Sequence, residues 1–151
     1  MNHKVILAFV LLICSVIIAD TILLEPGNRI ASPGSVNVSV PIEMTNLDPV
    51  AIFTFDVRHS SHLTFKSVQN TSRSQNAQIE AMPLNSTLVR LAGFVQNNIS
   101  YGTGPILDIF FDVGSQAPPG FYPIELENVA ATNLNIDEIP ITTETGIFTI
   151  I

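Results

Sequence analysis

The chain has no tryptophan, a single cysteine at Cys14, and only six lysines and arginines, the last of which is Arg90. Each scarcity excludes something. A nucleic-acid partner needs clustered cations to release the polyanion's counterions. With 13 Asp and Glu, a formal net charge of −7, and seven acids but no base after Arg90, the chain does not offer them. Anionic membrane surfaces are disfavoured for the same electrostatic reason. One cysteine cannot close an internal disulfide, so a folded domain must be held by its apolar core. With no Trp, and only Tyr101 and Tyr122 as tyrosines, the chain is poorly supplied with the flat platforms that stack on sugar rings.

Long apolar runs are absent except at the start. Met1 to Lys4 carries one basic side chain, and Val5 to Ala19 is apolar apart from Ser15. That run is short for a span of about 20 residues and reads as a signal peptide over residues 1–19. Ile17 is large where a cleavage site wants a small residue, which leaves an uncleaved anchor as the alternative and the only membrane association expected. Cys14 follows Ile13, where a lipidation signal places a small residue, so it reads as part of the apolar run. Residues 20–151 are then one cysteine-free domain, large enough to bury roughly two-thirds of its unfolded surface.

What is present is alternation. Val36, Val38, Val40, Ile42 and Met44 recur at every second position, as do Phe53, Phe55 and Val57, with Thr54, Asp56 and Arg58 on the opposite face. Further strands are expected at Thr21 to Leu24, Leu63 to Val68, Gln78 to Met82, Thr87 to Phe94, Ile106 to Val113, Phe121 to Glu127 and Gly146 to Ile150. Turn signals separate them at Pro26-Gly27, Pro33-Gly34, Asp48-Pro49, Gly102-Thr103-Gly104 and Pro118-Pro119-Gly120. One-sided sheets must cover their apolar faces, so the expectation is an all-β, nine-stranded β-sandwich with jelly-roll topology. Its core should include Val38, Val40, Phe53, Phe55, Leu107, Ile109, Phe111, Ile124 and Ile147.

Catalytic chemistry is thinly supported. His59 and His62 flank Ser60 and Ser61, but neighbours in a turn do not supply an oriented base, a third group and oxyanion donors. Two imidazoles without a third ligand make a poor zinc site. Asn133, Asn135 and Asp137 have alternate spacing but lack the glycine and distal glutamate of an EF-hand. The reading is therefore not an enzyme, with no catalytic residue, no metal site and no cofactor. Four Asn-X-Ser/Thr sequons occur, at Asn37, Asn70, Asn85 and Asn98.

The stretch from Ile106 to Ile151 carries a more specific pattern. An alternating strand, Leu107 to Val113, runs into a small-residue turn and then Pro119 to Leu126. Ala131 to Asn135 follows, with Glu138 and Ile139, and Thr145 to Ile150 closes the run. In order and residue type this resembles the last strands of a cohesin domain. Pro33-Gly34, the Val36 to Thr45 strand, Asn46 and Ala51 to Val57 resemble the opening of that family, so the likeness covers about Ile30 to Ile151. It implies a secreted, non-catalytic module that docks a dockerin-containing protein, with calcium on the dockerin side, in extracellular polysaccharide-degrading or cell-surface assemblies. It also implies a partner-binding surface around the Ala51 to Arg58 strand, with Thr54, Asp56, Arg58 and His59 as the candidates. Family members follow this strand with a Tyr-Asp-Pro turn before a Leu, whereas this chain reads Arg58-His59-Ser60-Ser61-His62-Leu63. The strand register puts Arg58 in the place of that Asp, so a matching dockerin is expected to carry an acid opposite Arg58. The alternatives are a module that binds polysaccharide directly and a structural β-sandwich at a cell surface.

Overall fold

The computed structural model describes residues 21–151, and the expected signal peptide lies outside the described residues. In chain order the strands are β1 (Ile22–Pro26), β2 (Arg29–Ala31), β3 (Val38–Asn46), β4 (Val50–Arg58), β5 (Leu63–Asn70), β6 (Ala77–Asn85), β7 (Leu88–Ile99), β8 (Gly102–Val113), β9 (Gly120–Thr132), β10 (Ile141–Thr143) and β11 (Gly146–Ile150). A five-stranded sheet in the order β10-β1-β3-β8-β5 packs on a six-stranded one in the order β2-β11-β9-β4-β7-β6. The architecture is the expected all-β jelly-roll sandwich, with eleven strands among the described residues where nine were expected.

Both additional strands have one origin. The first segment pairs in the five-stranded sheet as β1, crosses at Gly27 and Asn28, and joins the other sheet as β2. The last segment does the same, crossing at Glu144 and Thr145 between β10 and β11. Each crossing leaves a three-residue edge strand, too short for alternation to register. Both edges are parallel, Ile22 opposite Ile141 and Phe148 opposite Arg29. The crossings meet at Gly146, where an added Cβ would lie 2.5 Å from the Pro26 carbonyl oxygen.

Alternation fills the space between the sheets. Val40, Ile42 and Met44 on β3 and Leu107, Ile109 and Phe111 on β8 face Phe53, Phe55 and Val57 on β4, Leu91 on β7 and Ile124 on β9, all fully buried. Val38 packs at the edge of this core. Ile147 is a correction: it lies on the outer side of β11, and Gly146, Phe148 and Ile150 face inward. The Ile147-Phe148-Thr149-Ile150 run is apolar in both phases, and Phe148 takes the inner side because its β9 partner, Tyr122, packs against the core.

Gly102-Thr103-Gly104 is a second correction. It opens β8, paired with Asn46, Thr45 and Met44, and the chain reverses at Ser100 and Tyr101 instead. Gly102 and Gly104 have φ of 140° and 147°, a region other residues rarely adopt, so the glycines serve strand geometry here. Arg73, from the β5–β6 loop, ties down this strand start by donating to the carbonyls of Met44, Gly104 and Ser100 and to Asn46 Oδ1.

Candidate partner-binding face

The outer face of the six-stranded sheet is crossed in its middle by β4. Residues 53, 55 and 57 enter the core, so Ile52, Thr54, Asp56 and Arg58 take the other side. Their cross-strand neighbours are Phe94, Ala92, Arg90 and Leu88 on β7, and Thr132, Ala130, Glu127 and Glu125 on β9. The face therefore has two zones.

The first is a clasp of paired charges. Arg90 donates from Nε and Nη2 to the two Asp56 carboxylate oxygens at 2.7 and 2.9 Å, and Asn128 Nδ2 donates to Asp56 Oδ2 at 2.9 Å. Arg58 reaches Glu127 in the same forked manner, at 2.5 and 2.8 Å. A bulge makes this possible. Between Thr54 and Asp56 the β4–β9 register shifts by one residue, and Asn128 takes a φ of 50°. The extra residue re-aims the strand so that both Glu127 and Asn128 serve the β4 charges. Arg90's hydrogen bonds hold the Asp56 carboxyl below the usual carboxylate range, against the opposing effect of burial and with help from Asn128. Arg58 does the same for Glu127.

The second zone is apolar and small. Ile52 and Phe94 lie side by side, 39% and 50% exposed, with Thr54, Ala92 and Ala130 beside them. The Thr54 hydroxyl donates to the Leu91 carbonyl, so it presents its methyl side rather than an unmet donor. Glu80 and Glu125 are exposed at the flanks.

The four residues expected at this surface fare differently. Thr54 and Arg58 are on it and partly exposed. Asp56 is on its strand's outer side but only 1% exposed, sealed by Arg90 and Asn128, so it lies beneath the face. His59 is 4% exposed and packs tilted against Phe111, with ring centroids 4.9 Å apart, so it belongs to the core edge. Its inward turn continues the 53, 55, 57 phase by one step, a signal present in the sequence. Arg58 is already paired within the chain, because Glu127 lies opposite it. Ile52, Phe94, Ala92 and Ala130 were not singled out from the sequence, although Ile52 and Phe94 are apolar residues at outward positions of their strands.

The two histidines do not assemble with the serines. His59 Nδ1 bonds the Ser60 backbone carbonyl at 3.0 Å, and the Ser60 hydroxyl accepts from the His62 backbone N–H. The Asn133 loop closes on itself. Asn133 Oδ1 accepts from the backbone N–H groups of Asn135 and Asp137, and its Nδ2 donates to the Asp137 carboxylate.

Comparison with family models gives no match, and comparison with curated proteins gives none either. Solved structures do match. A non-cellulosomal cohesin from Archaeoglobus fulgidus superposes with a TM-score of 0.77 at 20% identity, covering 87% of this chain and 91% of that one. A chain of a type I cohesin–dockerin complex from Clostridium thermocellum gives 0.78 at 18% identity, covering 87% and 99%. A cohesin from Clostridium acetobutylicum gives 0.73 at 17% identity, covering 87% and 92%. The sandwich assembled from these strands therefore has the fold of a cohesin module.

Proposed function

We infer that the chain is a non-catalytic docking module that binds a dockerin-bearing protein through the outer face of its six-stranded sheet. The observation that carries this reading is the exposed Ile52–Phe94 row with its small neighbours, set beside charges already satisfied within the sheet. Apolar side chains held on a rigid, flat strand surface favour a protein partner, which gains by covering them. Because Arg58, Asp56, Arg90 and Glu127 cancel in pairs, a partner need not supply counter-charges to them. Its complementary charges belong at Glu80 and Glu125, where Lys or Arg would gain from the exposed carboxylates. Thr54 and Arg58 are contact residues in this reading, and Asp56 and His59 hold the surface in shape. Such a module works in the extracellular or cell-surface setting that the N-terminal apolar segment leads one to expect.

The test is capture of dockerin-bearing proteins from a secretome of the source organism, with and without a calcium chelator, beside a binding assay on insoluble cellulose. Calcium-dependent capture that is lost with Phe94→Glu and weakened by Arg58→Glu is the expected result. Retention on cellulose without protein capture would favour the second reading, direct polysaccharide binding. One observation supports that alternative: a cleft of about 460 Å³ lined by Gln75, Asn76, Asn97, Asn98 and the exposed Tyr101.

A further inference from the structure

The fold treats the four sequons unequally. Asn70 spends its side-chain amide inside the protein, with Nδ2 donating to the Ser74 and Ala77 carbonyls at 2.8 and 2.7 Å. Asn98 adopts a φ of 63° and its Oδ1 is buried. Asn37 is exposed, but the hydroxyl of its sequon serine, Ser39, donates to Asp108 at 2.8 Å and is not available to it. Asn85 differs from all three. It is exposed at the end of β6, where Ser86 and Thr87 form the two-residue tip of the hairpin into β7. Its Oδ1 accepts both the Thr87 backbone N–H at 2.9 Å and the Thr87 hydroxyl at 3.1 Å, and no hydrogen bond among the described residues engages its Nδ2.

We propose that Asn85 is a glycan attachment site, selected from the four sequons by the fold. The sequon's hydroxyl already sits on its own asparagine's carbonyl oxygen, which polarises the amide and leaves its nitrogen facing solvent at a hairpin tip. The donor is an oligosaccharide carried on a polyprenyl pyrophosphate. Asn85 Nδ2 bonds to the anomeric carbon, the bond from that carbon to the phosphate oxygen breaks with its electron pair leaving on the phosphate, and one amide proton passes to a base of the transferase. The inference rests on the extracellular setting of the proposed function, and its test is independent of docking.

The folded full chain and a heat-unfolded sample are incubated with an oligosaccharyltransferase, lipid-linked oligosaccharide and a sequon-bearing reference peptide, and each asparagine is followed by peptide mass spectrometry. In the folded chain, Asn85 should carry glycan at higher occupancy than Asn37, with Asn70 and Asn98 bare. In the unfolded sample this discrimination should disappear. Thr87→Ser should keep the modification and Thr87→Val should abolish it. Bare Asn85 in a reaction that modifies the reference peptide would overturn the proposal, as would occupancy of Asn70 or Asn98 in the folded chain.

Discussion

A carboxylate on the outer side of a sheet ordinarily stays wet, and Asp56 stays dry because Arg90 and Asn128 close over it. Opposite signs of pH dependence do not arise here, since Asp56 and His59 both lose stability towards acid, but they do so in separate windows. The imidazole of His59 is held below its ordinary value of 6.5, first by burial, and its Nε2 is buried without a partner. The unfolded chain therefore takes up this proton first. The stability that neutral His59 contributes is complete above about 6.5 and falls as pH drops towards the folded value. Replacing it by His59→Phe should flatten that first slope in a series of thermal unfolding curves. Asp56, whose folded value is lowered from 3.8, keeps its contribution above that pH and loses it as pH falls through the lower folded value. In Asp56→Asn the second, more acidic loss should shrink while the first remains. A residue-level pattern could show that Asp56 pointed outward, but not that Arg90, 34 positions away, would meet it.

The seven strands of eight residues or more, and the five-residue β1 and β11, declared themselves through alternation, so nine of the eleven were legible. The three-residue strands β2 and β10 were not, because their position is dictated by pairing with β11 and β1 rather than by their own residues. The bulge at Asn128 was equally silent, since a one-residue register shift leaves no compositional trace. At the other extreme, the phase of β11 was misread because Ile147 and Phe148 are both apolar, and only the partner strand decides between them. Gly146 sits where that decision is enforced. Gly146→Ala would push a methyl against the Pro26 backbone, and overpacking of this kind costs about 1–3 kcal/mol. Urea unfolding should show the midpoint falling with an unchanged slope, whereas the same change at the open loop residue Ser72 should leave the midpoint near its starting value.

At the level of the molecule, the cohesin likeness was readable because turns, small residues and closing strand recur in fixed order over Ile30 to Ile151, and the solved cohesins cover 87% of the chain. The proposed docking face was only half readable. Its strand was identified, yet the row formed by Ile52 and Phe94 exists through pairing of segments some forty residues apart. The two parallel edges have a further consequence, a mechanical one. The first described strand runs alongside β10 and its continuation alongside β11, each pair pointing the same way. Tension applied between the two ends of the domain thus drags paired strands past one another in opposite directions. The hydrogen bonds of each ladder then bear the load together rather than opening one at a time, as they would in a peeled hairpin. Forced unfolding is governed by the rate of barrier crossing under load, so pulling through residues 21 and 151 should meet far higher resistance than pulling through the tips of the β6–β7 hairpin. Single-molecule stretching with handles at the two pairs of positions measures the difference, and equal rupture forces would show that the parallel edges do not act as a clamp. Higher resistance along the first pair would mark the two parallel edges as a shear clamp that stiffens the sandwich along its strands.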